Sequence, residues 1–258
     1  MNTWTFINLA SKATRSGQSM SEEILSAIAQ ACELQMNSHL RGEVPGAEET
    51  RVSVTKTGRA SQGKVLYFVD RLPDRREVAE HVPGAAYVSV SSCQDLFGPE
   101  GACASASHEI LEDEGNPDCN LFAQDRQGQM HALERCDAVE TQSYEVSLPS
   151  GQSVSVSNFL LPAWQDPFSK GPFTFMGKKR MSGAAEPPGP LLTARSTTGG
   201  NYQVILPVSY DYARAVFGKE IVDGHMRAVR GYPKKRNDAF HWSSRPSRIL
   251  AAHNSLCL

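Results

Sequence analysis

The sequence predicts an α+β fold: a backing helix, a mixed twisted sheet, a second helix rich in polar side chains, and an irregular Pro-rich extension. Three observations predict it. Apolar residues recur at helical spacing from Ile24 to Met36. Three β-branched segments follow between residues 51 and 90, and then a second helical segment stops at Gly115 and Pro117. Beyond Asn158 the periodicity fades, and Pro162, Pro167, Pro172, Pro187, Pro188 and Pro190 punctuate the chain. The domain division expected is therefore a core over 1–157 and an extension over 158–258 that packs on the core or on a partner, with one or more strands and a basic tail.

The 258 residues carry a net charge of -2, with 40% hydrophobic and 21% charged residues, which fits a globular chain and argues against nucleic acid as a partner. No run approaches the roughly 20 apolar residues of a membrane span. The first ten residues lack a basic n-region, so no secretory signal is expected and the compartment is read as reducing. The six cysteines contain no Cys-x-x-Cys pair and read as free buried thiols; a Cys119–Cys136 bridge is the alternative.

Taken in order, Ser19 and Glu22 form a capping box that opens an amphipathic helix of about 18 residues ending near Gly42. Arg51–Thr55 and Ala85–Val90 alternate as strands. Lys64–Asp70 is a nearly continuous apolar run and reads as a strand buried on both faces. Asp74–His81, between them, reads as a short exposed helix with a solvated face. Pro83-Gly84 marks a turn. Pro99 suits the first turn of the next helix. Residues 121–128 read as a loop or hairpin, 130–140 as polar with helical character, and 144–157 as a hairpin across Pro149-Ser-Gly-Gln. Residues 202–207 form one more strand. Trp164 and Phe168 read as core packing.

Projection at about 100° per residue puts Cys103, Ala104, Ala106, Ser107, Ile110 and Leu111 on one arc of the second helix. Ser105, His108, Glu109 and Glu112 share the other. His108 and Glu112, four apart, leave one face a turn from each other, so an imidazole and a carboxylate can hold one ion. The pattern is the His-Glu-x-x-His helix of zinc proteases with Glu in place of the second His. A catalytic zinc takes three protein ligands and keeps one position open. The third is expected downstream: Glu134 first, with Asp137 and His131 as alternatives, while Asp137 and Glu140 can orient a ligand. Zn2+ is the expected ion, and a set this rich in carboxylate also suits Mn2+ or Fe2+. Such an ion acidifies water and polarises a peptide carbonyl, and Glu109 is expected to take the proton. Tyr87 and Val88, on the strand beside the site, are expected to line the substrate cleft and to pair with an extended peptide.

The segments His81-Val-Pro-Gly-Ala-Ala-Tyr87 and Ser107-His-Glu-Ile-Leu-Glu-Asp-Glu-Gly-Asn-Pro117 resemble a group of small metallopeptidase-like proteins of tailed bacteriophages and bacteria. Glu134-x-x-Asp137-x-x-Glu140, Val156-Ser-Asn-Phe-Leu-Leu-Pro-Ala-Trp164 and Gly199-Gly-Asn-Tyr202 extend the likeness over most of residues 64–205. The resemblance implies a zincin-like core, His108 and Glu112 as ligands and Glu109 as general base. It departs at Val88, where the group often has His. It implies a peptidase acting on a protein or peptide, in the cytoplasm of an infected host cell or in a virion, with other virion proteins as further partners. The alternative is a non-catalytic virion or accessory protein that keeps the scaffold.

Overall fold

The computed structural model describes residues 1–55, 63–74, 77–119, 122–124, 130–132, 134–166, 169–187 and 204–205; for 122–124, 130–132 and 204–205 it describes the backbone alone. The elements in chain order are β1 (Asn2–Asn8), α1 (Glu22–Leu34), α2 (Arg41–Glu43), β2 (Thr50–Thr55), β3 (Lys64–Val69), β4 (Ala79–Val82), β5 (Ala85–Ser89), α3 (Ala102–Gly115), β6 (Phe122–Gln124), β7 (Met130–Ala132), β8 (Ser143–Ser147), β9 (Ser153–Ser157), α4 (Phe175–Lys179) and β10 (Val204–Ile205).

The main sheet runs β2-β1-β3-β5-β4. Its first four strands are parallel and β4 returns antiparallel at the edge. β1, within a segment read only for a missing signal, is a core strand: Trp4 and Phe6 are buried while β2 and β3 pair with it on either side. Register explains which side chains reach the helices. Val54, Phe6, Leu66, Ala86 and His81 are successive partners across the sheet and so share one face. Phe6, Leu66 and Ala86 pack there with Leu25, Ile28 and Cys32 of α1 and Cys103, Ala106 and Ile110 of α3 in a single apolar cluster. β3 is not equally buried on its two faces. Leu66 and Phe68 face the helices and are fully buried, whereas Val65, Tyr67 and Val69 are half-buried.

The segment expected to form an exposed helix ends instead in β4. Pro83-Gly84, with Gly84 at φ +79, makes a two-residue turn that sets Val82 opposite Ala85 and His81 opposite Ala86. His81 therefore ends an apolar row and is buried. The helix cap also differs by two residues. Ser21, not Ser19, accepts from the Ile24 amide at 3.3 Å. After Leu34 the helix widens into a π-helical stretch, Gln35–Leu40. There the buried Gln35 amide donates to Ser157 O at 2.7 Å and Tyr144 Oη at 3.1 Å.

α3 begins at Ala102, past Pro99, because its first amides are held by the preceding loop: Ala102 N donates to Asp95 O and Cys103 N to Leu96 O. Gly101 caps it, since a Cβ there would lie 2.6 Å from Asp95 Oδ1. The helix packs on α1, β4, β5 and β9 and is buried on nearly all sides. Its polar arc thus faces protein rather than solvent. β8 and β9 form the expected hairpin around Gly151 (φ +86), while β6, β7 and β10 form a small separate sheet. Residues 134–140 are not the helix their spacing suggests; one 3-10 turn spans Asp137–Val139.

The core does not end at residue 157. Phe159, Leu161, Phe175 and Met176 belong to the main apolar cluster, and Phe159 stacks on Phe175 at 4.9 Å. Trp164 is buried as expected. Phe168 and the basic tail lie outside the described residues. Cys32, Cys93, Cys103, Cys119 and Cys136 are free and buried, so no bridge joins Cys119 to Cys136. Among the described residues, no helix is long and apolar enough to cross a membrane.

If β1 is a core strand, removing Phe6 must be costly. Phe6→Ala is expected to lower the unfolding free energy by about 3–5 kcal/mol, read from urea denaturation. A loss below about 1 kcal/mol is what a surface segment would show.

Candidate metal centre

The site assembles around one turn of α3. Glu112 is fully buried and faces two imidazoles: its Oε1 lies 2.8 Å from His108 Nε2 and its Oε2 3.2 Å from His81 Nδ1. Two groups of donor atoms converge on it, each spanning less than 4.8 Å. One is His108, Glu112 and Asp137; the other is His81, Glu109 and Glu112. In the first, Asp137 Oδ1 is 3.6 Å from His108 Nε2. In the second, Glu109 Oε2 is 3.6 Å from His81 Nδ1. Glu134, expected as the third ligand, is in neither trio; its Oε1 lies 3.9 Å from His81 Nε2, and its carboxyl also meets Asp137.

Each imidazole is oriented from behind. His81 Nε2 faces Asn116 O at 3.4 Å, and His108 Nδ1 faces Ser157 Oγ at 3.5 Å. With an ion bound, donating those N–H groups would leave Nδ1 of His81 and Nε2 of His108 as the free lone pairs a histidine ligand needs. Ser157 is itself fixed, its amide donating to Ser107 Oγ at 2.7 Å and its carbonyl accepting from Gln35. Lys64 pairs with the buried Asp113, and Arg135 with Glu114, so these two carboxylates already have cations.

The remaining acids lie instead against the two imidazoles, His81 and His108. Glu109 Oε2, Glu112 Oε1, Asp137 Oδ2 and both Glu134 oxygens are buried without a hydrogen bond. Buried carboxylate oxygens in this state are costly, and a shared proton or a bound cation relieves the cost. Glu112 Oε1 and His108 Nε2 are 2.8 Å apart yet do not align as a hydrogen bond. Donors at about 2.0–2.1 Å from one ion lie about 2.9 Å apart at a right angle and about 3.4 Å apart at the tetrahedral angle, the range spanned by Glu112 Oε1 and Asp137 Oδ1 around His108 Nε2 at 2.8 and 3.6 Å. The residues present fit a first-row divalent cation.

Charge within the cluster shifts the groups as crowding predicts. Burial lifts Glu134, Glu112 lifts it further, and nearby His81 offsets only part, leaving it at about 7. Burial and Glu112 raise Glu109 as well, and burial, Glu112 and Glu134 raise Asp137 strongly. Burial opposes the charge on Glu112, but His108 and His81 outweigh it and hold that carboxyl low. Burial also opposes protonation of His108, but Glu112, Cys136 and Asp137 carry it well above the ordinary range. His81 rises likewise, with burial overcome by Cys119, Glu109 and Glu112.

Not every expected residue is here. Glu140 is exposed at the end of the 3-10 turn and takes no part. Val88 is fully buried in the core. Tyr87 points to the opposite sheet face from Val88 and stacks on Tyr67 at 5.3 Å. β5 is paired along both edges and cannot accept a substrate strand. His131 lies on β7, where its side chain is outside the described residues. His81 was hidden in a charged segment; the two-residue turn at Pro83-Gly84 was the signal that placed it opposite an apolar strand position. The centre is least buried at His108 and Asp137, whose side chains are 15% and 12% exposed against 4% or less for His81, Glu109, Glu112 and Glu134.

The chelated protein has an unusual pH dependence. Glu134 binds its proton more tightly folded than unfolded, so between pH 4.5 and about 7 the native state holds the extra proton and stability falls as pH rises. The raised imidazoles act in the same sense, and the low Glu112 matters only below this window. The Tm of metal-free protein is therefore expected to be lower at about pH 7.5 than at about pH 5.5, with added Zn2+ restoring the difference, as read by calorimetry. No protein-family model, curated protein or solved structure matches this chain, so the site's own chemistry carries the functional argument.

Proposed function

We propose that the protein is a metal-dependent peptidase of phage type with a zincin-like core, Zn2+ being the expected ion. The observation that carries this is the convergence of His108, Glu112 and Asp137 on the least buried side of an acidic cluster. These three residues would hold the ion and leave a position open toward solvent. When bound, it supplies Lewis acidity toward water and a peptide carbonyl. Mn2+ and Fe2+ suit the same hard donor set.

The chain's own residues do the rest. Ser157 and the π-helical turn behind it fix His108, so the face it presents is preorganised. Two carboxylates can move the proton. Glu109 is named by the motif and is held beside His81. Glu134, beside Asp137 and His81, has a carboxyl at about 7, matched to general-base work near neutrality. An extended peptide can add to the sheet only at an outer strand, and β4 is the outer strand that brings a residue into the cluster.

A non-catalytic virion or accessory scaffold is the second reading, favoured by the burial of Glu109, Glu112 and Glu134. Cleavage of casein or a peptide library decides between them. Purified protein loaded with Zn2+ is expected to cleave, chelation to abolish cleavage, and Glu112→Ala to lose both metal and activity. Substituting the true proton acceptor, by Glu109→Gln or Glu134→Gln, should lower kcat by about 10²–10⁴ with KM little changed. Metal-loaded wild type without activity on any peptide favours the scaffold; wild type without metal rejects the peptidase.

A further inference from the structure

We propose that the cluster is built for two divalent ions bridged by Glu112, with His81 and Glu109 completing a second, closed position. The inference rests on the metal reading above and deepens it. The two donor trios share only Glu112, and they use different oxygens of it: Oε1 faces His108 and Oε2 faces His81. A carboxylate presenting one oxygen to each of two ligand sets bridges ions, as in two-metal hydrolases with centres about 3.5–4 Å apart. A single ion on the His108 side leaves His81 Nδ1 facing two carboxylate oxygens, Glu112 Oε2 at 3.2 Å and Glu109 Oε2 at 3.6 Å, the latter buried and outside hydrogen-bond geometry.

Charge points the same way. Lys64 serves Asp113 and Arg135 serves Glu114, leaving three buried acids, Glu109, Glu112 and Glu134, and Asp137 at the rim, with His81 and His108 beside them. The His81 position is sealed, its donors being 4% exposed or less, so it suits an ion that holds structure and polarises its neighbour. The His108 position, reached past Asp137, is the one open to substrate. Glu109 then serves as a ligand, and Glu134, beside His81, is the carboxylate left to take a proton.

The test is metal stoichiometry of the full chain, stripped with chelator, reloaded with Zn2+ or Mn2+ and dialysed before elemental analysis. Wild type is expected to hold two equivalents. His81→Ala and Glu109→Gln are each expected to hold one, with His108→Ala also holding one and Glu112→Gln well under one. One equivalent in wild type, lost in His108→Ala, overturns the second position and leaves the peptidase reading standing; no metal in wild type overturns both. Two equivalents retained in Glu109→Gln, with turnover lost, overturns the ligand role of Glu109. Should the variants not fold, stepwise Mn2+ loading of wild type decides by electron paramagnetic resonance. A bridged pair loses signal per ion as the second position fills, whereas unbroadened signal growing in proportion to bound Mn2+ excludes the bridge.

Discussion

The structure turns on the burial of one carboxylate. Glu112 lies on a helix enclosed on nearly every side, with an imidazole at each oxygen. A carboxylate in that position is tolerable only if positive charge reaches it. Much of the surrounding fold can be understood as supplying that charge and holding it still. β4 exists to bring His81 under α3, and the loop after β7 brings Asp137 beside His108. β9 presses on α3 so that Ser157 sits behind His108. The wider turn at Gln35–Leu40 matters for the same reason: it points a buried amide at Ser157 instead of continuing an ordinary helical ladder.

The small residues of α3 follow from that enclosure. Ala102, Cys103, Ala104, Ala106 and Ser107 let β9 and α1 approach closely, and Ser107 turns the approach into a hydrogen bond with the Ser157 amide. Larger side chains would hold the hairpin away and uncouple Ser157 from His108. Packing and chemistry are therefore not separate faces of this helix. The arc that carries His108, Glu109 and Glu112 is packed against side chains as well, with Glu109 and Glu112 buried and His108 reaching the rim.

The readable and unreadable parts of the sequence divide along physical lines. Local periodicity identified α1, β2, β3, β5, the β8–β9 hairpin and the helix carrying His108, because each buries one repeating face against a neighbour. It did not identify β1, whose alternation of Trp4 and Phe6 with threonines occupies too short a segment to stand out beside a chain terminus. It did not identify β4 either, because three of the residues just before it, Arg75, Arg76 and Glu77, are charged and only its turn carries a structural signature. The site follows the same rule. His108, Glu109 and Glu112 were legible since helix geometry fixes their relation. Glu134 was ranked ahead of Asp137, whereas Asp137 is the one that joins a donor trio, because both stand on a loop where a spacing of three implies no common face. His81 required knowledge of strand pairing.

That last residue shows why the distinction matters for chemistry. A helix can present two donors from sequence-local spacing, but enclosing an ion needs donors from the opposite side, and these come from elements distant in the chain. Here they come from an edge strand and from a 3-10 turn, one on each flank of α3. The two flanks differ in exposure: the His81 side is sealed by β4 and Asn116, and the His108 side is bounded by Asp137 at the surface. Such asymmetry is what a centre needs if one flank is to keep its charge balance away from water while the other exchanges with solvent. Any substitution that opens the His81 flank lets water compete for Glu112, and so acts on the open flank through the carboxylate they share.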